Sequence, residues 1–109
     1  TPTGSTAYSL SAGGPILAPK MECILMTPVC PHSLFSRSVL FSGESELSVH
    51  VKIPEECCCV LTIDGEKNVS VLATDRVVIR KSDLKLKLAL LHNRNFYKLL
   101  NEKLKERDF

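Results

Sequence analysis

Glu46-Leu47-Ser48-Val49-His50-Val51-Lys52 alternates without a break between polar and apolar side chains. Successive side chains of an extended chain point to opposite faces. Leu47, Val49 and Val51 therefore fall on one side, and Glu46, Ser48, His50 and Lys52 on the other. A helix would scatter these residues around its circumference, whereas a strand with one covered face sorts them. Pro54 follows and ends the run, because proline brings no N–H to a ladder. The stretch reads as a half-buried β-strand.

Neighbouring segments read as strands by other signs. Cys23-Ile24-Leu25-Met26-Thr27 is an apolar run of strand length closed by Pro28, and Ser38-Val39-Leu40-Phe41 is another closed by Ser42-Gly43. Cys58-Cys59-Val60-Leu61-Thr62-Ile63 runs into Asp64-Gly65, a strong turn signal. Residues 69–72 and 76–80 predict two further strands split by Ala73-Thr74-Asp75, and Lys85-Leu86-Lys87-Leu88-Ala89-Leu90 alternates again. Roughly six strands at intervals of about 8–12 residues predict a mainly β chain, a sandwich or layered sheet. Both ends differ from this pattern. Residues 5–12 lack proline, and Gly13-Gly14-Pro15 supplies a cap and a stop, which predicts a short N-terminal helix with Gly4 or Ser5 near its start. Asn95 is placed to cap a C-terminal helix whose Phe96, Leu99, Leu100 and Leu104 form an apolar stripe. That stripe needs something to pack on.

Composition bounds the function. The 109 residues suffice for one domain or part of one. No apolar run approaches the roughly 20 residues of a membrane helix. The net charge is only +2, and acids are interspersed among Arg80, Lys81, Lys85, Lys87 and the basic residues of the C-terminus, which reads as a solvated face rather than a nucleic-acid footprint. Within these 109 residues no charged segment is followed by an apolar run of the secretory-signal kind. The five cysteines include the consecutive Cys57, Cys58 and Cys59, whose side chains alternate between faces and cannot bridge without strain. They read as reduced thiols of a cytoplasmic protein. A zinc site would have to recruit Cys30, His32 and the triplet, yet no Cys-x-x-Cys pair is present, so no metal ligand is assigned. His32, His50 and His92 are scattered, and no catalytic residue emerges.

The N-terminal stretch is the one segment equipped to hold a ligand. Thr3, Ser5, Thr6, Tyr8, Ser9 and Ser11 offer hydroxyls that donate and accept, and Tyr8 adds a flat surface on which a base or nicotinamide ring could stack. Backbone N–H groups at a helix start would reinforce this with the positive end of the dipole. Ordinary capping explains the same residues equally well. The stretch is not a Walker A loop, since Gly-x-x-x-x-Gly-Lys is absent, and it is not a nucleophile elbow.

The run Thr1-Pro2-Thr3-Gly4-Ser5-Thr6-Ala7-Tyr8-Ser9-Leu10-Ser11-Ala12-Gly13-Gly14-Pro15-Ile16 closely resembles the NAD kinase family. The likeness continues at Met26-Thr27-Pro28-Val29-Cys30-Pro31-His32-Ser33-Leu34 and at Leu61-Thr62-Ile63-Asp64-Gly65-Glu66, and fades after about Asp83. The resemblance implies phosphorylation of the 2′-hydroxyl of the adenosine ribose of NAD, with ATP as donor, NADP as product and a divalent metal (magnesium) required. It implies a β-sandwich C-terminal domain that packs against an N-terminal α/β domain with NAD between them, in a homodimer or homotetramer of the cytoplasm. On this basis residues 6–11 line the NAD site. Thr6 and Ser11 hydrogen-bond NAD, Ala7 approaches it through its backbone, Tyr8 packs against it, and Ser9 and Leu10 complete the wall. The loop around Cys30 approaches the neighbouring subunit. Glu66, commonly Gln in relatives, lies near NAD, where a carboxylate accepts hydrogen bonds but donates none.

The family's Gly-Gly-Asp-Gly-Thr segment, with its general base and ATP-facing glycines, is absent from this sequence, as is its Asn-Glu/Asp pair. Phosphoryl transfer rests on positioning and charge neutralisation, so a chain without those groups is expected to be inert by itself. The chain is therefore expected to be the C-terminal domain of an NAD kinase, residues 1–109, with a helical tail over 93–109 that packs on the missing first domain. A non-catalytic nucleotide-binding or assembly module of the same fold is the alternative. A lipid-kinase relative is disfavoured by the string at residues 6–11.

Overall fold

The computed structural model describes residues 1–32, 34 and 36–106. In chain order it has a one-turn 3-10 helix (Thr3–Thr6), the helix α1 (Tyr8–Ser11), six strands and the helix α2 (Phe96–Lys105). The strands are β1 (Cys23–Met26), β2 (Val39–Ser42), β3 (Leu47–Val49), β4 (Cys59–Ile63), β5 (Lys67–Val71) and β6 (Val77–Ile79). The chain is thus mainly β with a short helix near each end, as its alternation and its capping residues predict.

The strands form three two-stranded antiparallel ladders, β1–β2, β3–β6 and β4–β5. In β1–β2, Cys23 faces Ser42 and Met26 faces Val39. In β3–β6, Leu47 faces Ile79 and Val49 faces Val77, and the β4–β5 hairpin falls between these strands in sequence. Val49, Val51, Cys59, Leu61, Val71, Val77 and Ile79 line an apolar cleft of about 210 Å³ between the β3–β6 and β4–β5 ladders. Val49 and Val51 of the alternating run thus face apolar neighbours, and the polar Glu46, Ser48 and His50 are exposed. The β4–β5 turn takes the conformation its sequence demands. Asp64 (φ 52°) and Gly65 (φ 72°) adopt left-handed backbone, which Asp tolerates and Gly enters without steric penalty. The Glu66 N–H closes the turn on the Ile63 carbonyl at 3.2 Å.

Three expectations need correction. The alternating run forms a ladder only over Leu47–Val49, shorter than the pattern from 46 to 52. The helix expected over 5–12 is broken at Ala7 (φ −100°, ψ −124°), and neither start carries a side-chain cap. The Ser5 hydroxyl turns inward instead, donating to the Pro2 carbonyl at 2.6 Å and accepting from the Leu17 N–H at 3.0 Å. Residues 85–90 do not form a strand. Their leucines lie uncovered, with Leu86 88% exposed, and no ladder joins them to another strand. An extended segment without a paired edge gains none of the hydrogen bonds that define a strand.

The C-terminal helix forms as predicted. Asn95 sits in extended backbone and its Oδ1 accepts from the Tyr97 N–H at 2.9 Å, satisfying one orphan donor of the first turn. Lys103 and Lys105 lie in the last turn, where positive charge suits the carbonyl end. Phe96, Leu99 and Leu100 are only half-buried. Residues 107–109 of the expected tail, and Ser33 of the second matching segment, lie outside the described residues.

The core is small. Leu17 and Val71 are the buried apolar side chains among the described residues, and Ser5 is fully enclosed. The accessible surface is 9935 Å², against about 6,000 Å² for a compact monomer of this mass. The radius of gyration is 16.6 Å, against about 13 Å for a compact domain of this length. Many large apolar side chains stand exposed, Leu84, Leu86, Leu88, Leu90 and Leu91 among them.

Candidate functional site

Short-range hydrogen bonds shape the N-terminal segment. Thr1 Oγ1 accepts from the Gly4 N–H at 3.0 Å, and the N–H groups of Ser5 and Ala7 close on the carbonyls of Pro2 and Gly4 at 3.2 and 3.1 Å. After the break at Ala7, α1 makes a single turn and ends in a Schellman arrangement. Gly13, at φ 86°, donates to the Leu10 carbonyl at 3.0 Å, and Gly14 donates to the Ser9 carbonyl at 2.7 Å. A one-turn helix has little macrodipole, so the helix-start electrostatics expected from the sequence do not apply.

Two side chains tie this segment to the body. Ser5 joins Pro2 to Leu17, closing residues 2–17 on themselves. Ser9 Oγ meets Thr27 Oγ1 at 2.8 Å, and Thr27 Oγ1 meets Ser38 Oγ at 3.0 Å. Thr27 directly follows β1 and Ser38 directly precedes β2, so this hydroxyl chain spans the base of the β1–β2 connection and reaches the helix. Gly14 is buried over the same point. A Cβ there would stand 2.8 Å from both the Ser9 carbonyl oxygen and Thr27 Oγ1, and would strike the Ser9 hydroxyl.

The predicted site residues separate into an outward and an inward set. Ala7, Tyr8 and Ser11 face solvent, with Tyr8 91% exposed. Ser9 and Leu10 are half-buried, and the Ser9 hydroxyl is engaged by Thr27. Thr6 is half-buried and its hydroxyl donates to the Thr3 carbonyl at 3.3 Å. Glu66 is exposed on the β4–β5 turn, in a different ladder. Six of the seven predicted site residues, those at 6–11, thus lie on one short, anchored segment around Tyr8, and Glu66 stands apart from it.

Sequence reasoning missed the anchors: Ser5, Gly14, Thr27 and Ser38. Only the Gly-Gly pair carried a local signal, because the hydroxyl contacts join residues far apart in the chain. It also missed an open cleft of about 430 Å³ lined by Met21, Cys23, Ile24, Ile79, Leu84 and Lys81, the last of which pairs with Glu22. All five cysteines are free thiols, and among the described residues no three of His, Cys, Asp and Glu converge on a metal-binding geometry. No described helix is long and apolar enough to cross a membrane.

With this geometry in place, comparison with known proteins decides the family. The sequence profile of the ATP-NAD kinase C-terminal domain matches residues 1–91. The chain belongs to the ATP-NAD kinase C-terminal domain family. That match reaches past Asp83, where the visible likeness fades, and includes the exposed leucines of residues 84–91. Among the relatives of this NAD kinase domain, the NAD kinase of Carboxydothermus hydrogenoformans is 44% identical over 106 residues, covering 97% of this chain and 38% of the relative. The NAD kinase of Magnetococcus marinus is 44% identical over 104 residues, covering 95% of this chain and 34% of the relative. The chain thus spans little more than a third of the length of these relatives. A crystal structure of yeast NADH kinase complexed with NADH superposes with a TM-score of 0.64 at 27% identity, over 100% of this chain and 34% of that one.

Proposed function

We propose that this domain serves in an NAD kinase, which transfers a phosphoryl group from ATP to the 2′-hydroxyl of the adenosine ribose of NAD and releases NADP. The family match across residues 1–91, which contains the whole of residues 6–11, carries this reading. Within it the domain binds and orients NAD. Tyr8, outward and 91% exposed, packs its ring against the dinucleotide. Thr6 and Ser11 hydrogen-bond it, Ala7 admits it close to the backbone, Ser9 and Leu10 hold that wall to the body, and Glu66 accepts from it.

The ATP site, the general base and the magnesium ligands are assigned to a preceding α/β domain. On this assignment the part played by this chain is substrate positioning. The same reading covers the apolar stripe of α2 and the leucines of residues 84–91 with that domain, and places contacts between copies of the enzyme around Cys30, beside the exposed Val29. The free thiols agree with work in the cytoplasm.

Steady-state kinetics of the full-length kinase test the site. Tyr8→Ala is expected to raise KM for NAD by about tenfold, the effect of removing one aromatic packing surface, with KM for ATP little changed. An unchanged KM for NAD would remove Tyr8, and with it this surface, from the NAD site.

A further inference from the structure

We propose that Thr27 is a positioning residue for the NAD wall, acting through Ser9. The inference rests on the functional reading just given and adds a residue that touches no substrate. Thr27 Oγ1 lies 2.8 Å from Ser9 Oγ and 3.0 Å from Ser38 Oγ, and both contacts are partly buried. One hydroxyl therefore holds three things together: the middle of α1, the exit of β1 and the entry of β2.

A one-turn helix has no stability of its own, since nucleation costs more than a single turn returns. The direction in which Tyr8 and Ser11 point is then set by what grips the helix from below. Two grips are visible. Ser5 fixes the chain before the helix, through Pro2 and Leu17. Thr27 fixes the helix itself, and Gly14 lets the following chain pass directly over the Thr27 hydroxyl. Ser9 and Ser38 each have a single hydroxyl proton, and Thr27 gives them one shared neighbour that both donates and accepts. Removing that hydroxyl leaves two partly buried hydroxyls to find other partners, and the lowest-cost response is a tilt of α1 away from the β1–β2 base.

The test compares variants of the full-length kinase. Thr27→Val keeps the branched shape and deletes the hydroxyl. It is expected to raise KM for NAD about tenfold through the two lost hydrogen bonds, with kcat and KM for ATP within about twofold of wild type. Thr27→Ser keeps the hydroxyl and should restore KM for NAD, which a purely space-filling role would not. An unchanged KM for NAD in Thr27→Val, or a Thr27→Ser enzyme as impaired as the valine variant, overturns the inference. Should Thr27→Val not fold, Ser38→Ala decides in its place: a rise of about threefold in KM for NAD, for one lost bond, is expected, and no rise overturns it. Tyr8→Ala separates the two readings. If Tyr8→Ala raises KM for NAD and Thr27→Val does not, the positioning role alone fails; if the wild-type enzyme forms no NADP, the functional reading fails and takes the positioning role with it.

Discussion

The first 42 residues and the last stretch from residue 81 solve the problem of holding a chain in shape by opposite means. In the first, hydroxyls and backbone groups satisfy one another within the segment: Ser5 with Pro2 and Leu17, and Ser9 with Thr27 and Ser38. In the second, the side chains suited to stabilise it are leucines, and Leu84, Leu86, Leu88, Leu90 and Leu91 stand uncovered. A hydrogen bond is complete once both partners are present. An apolar side chain contributes only in proportion to the area another surface takes from water. The first region carries its own determinants of structure, and the second, on the reading proposed above, borrows them from what covers it.

Leu88 gives the sharpest way to break this contrast. In the full-length kinase, where we propose that a preceding domain covers it, Leu88→Ser should lower unfolding stability by about 3 kcal/mol. In the isolated 109-residue chain the same change should stay within about 0.5 kcal/mol, as for an ordinary surface site. Urea denaturation of the two pairs of proteins measures both. A small effect in the full-length protein would mean that this segment stays uncovered there too. A large effect in the isolated chain would mean that the leucines already pack on their own domain.

Gly14→Ala probes the other side of the contrast and should not distinguish the two forms. The added Cβ meets the Ser9 carbonyl and Thr27 Oγ1, both inside this chain. A loss of about 1–3 kcal/mol, typical of overpacking, is expected whether or not the proposed preceding domain is present. Thermal denaturation of the isolated chain and of the full-length kinase reads it. A penalty confined to the full-length protein would show that residues outside this chain set the packing over Thr27.

These two regions also mark what the sequence made legible. The strands from β1 to β6 could be read because alternation and turn residues are local signals, and the D-G turn at 64–65 falls where its backbone requirement predicts. The segment from 85 to 90 has the same alternation and yet forms no strand. The pattern reports that one face wants cover; it does not supply the neighbour. Residues 5–12 read as one helix because they are helix-tolerant, but the chain breaks at Ala7, between the long-range bonds of Ser5 and Ser9. The segment of the candidate site was visible as a string resembling a family. Its division into outward Tyr8 and inward Ser9 was not, because Thr27 lies 18 positions from Ser9.

The smallest expected effect tests whether α2 belongs with the borrowed region. Asn95 Oδ1 caps the start of that helix, at 2.9 Å from the Tyr97 N–H. Asn95→Ala should cost about 1 kcal/mol of helix stability. The helix has ten residues, none of them buried, so little tertiary packing absorbs that loss. Helices of this length are marginal on their own. In the isolated chain the variant should therefore fray α2, lowering far-UV helicity and amide protection at Leu99 and Leu100, while the global unfolding midpoint stays unchanged. In the full-length kinase, with Phe96, Leu99 and Leu100 covered, helicity should persist and the same loss should surface as a small drop in the midpoint. Identical behaviour in both proteins would place α2 with the self-sufficient region and restrict the borrowed one to the leucine segment before it.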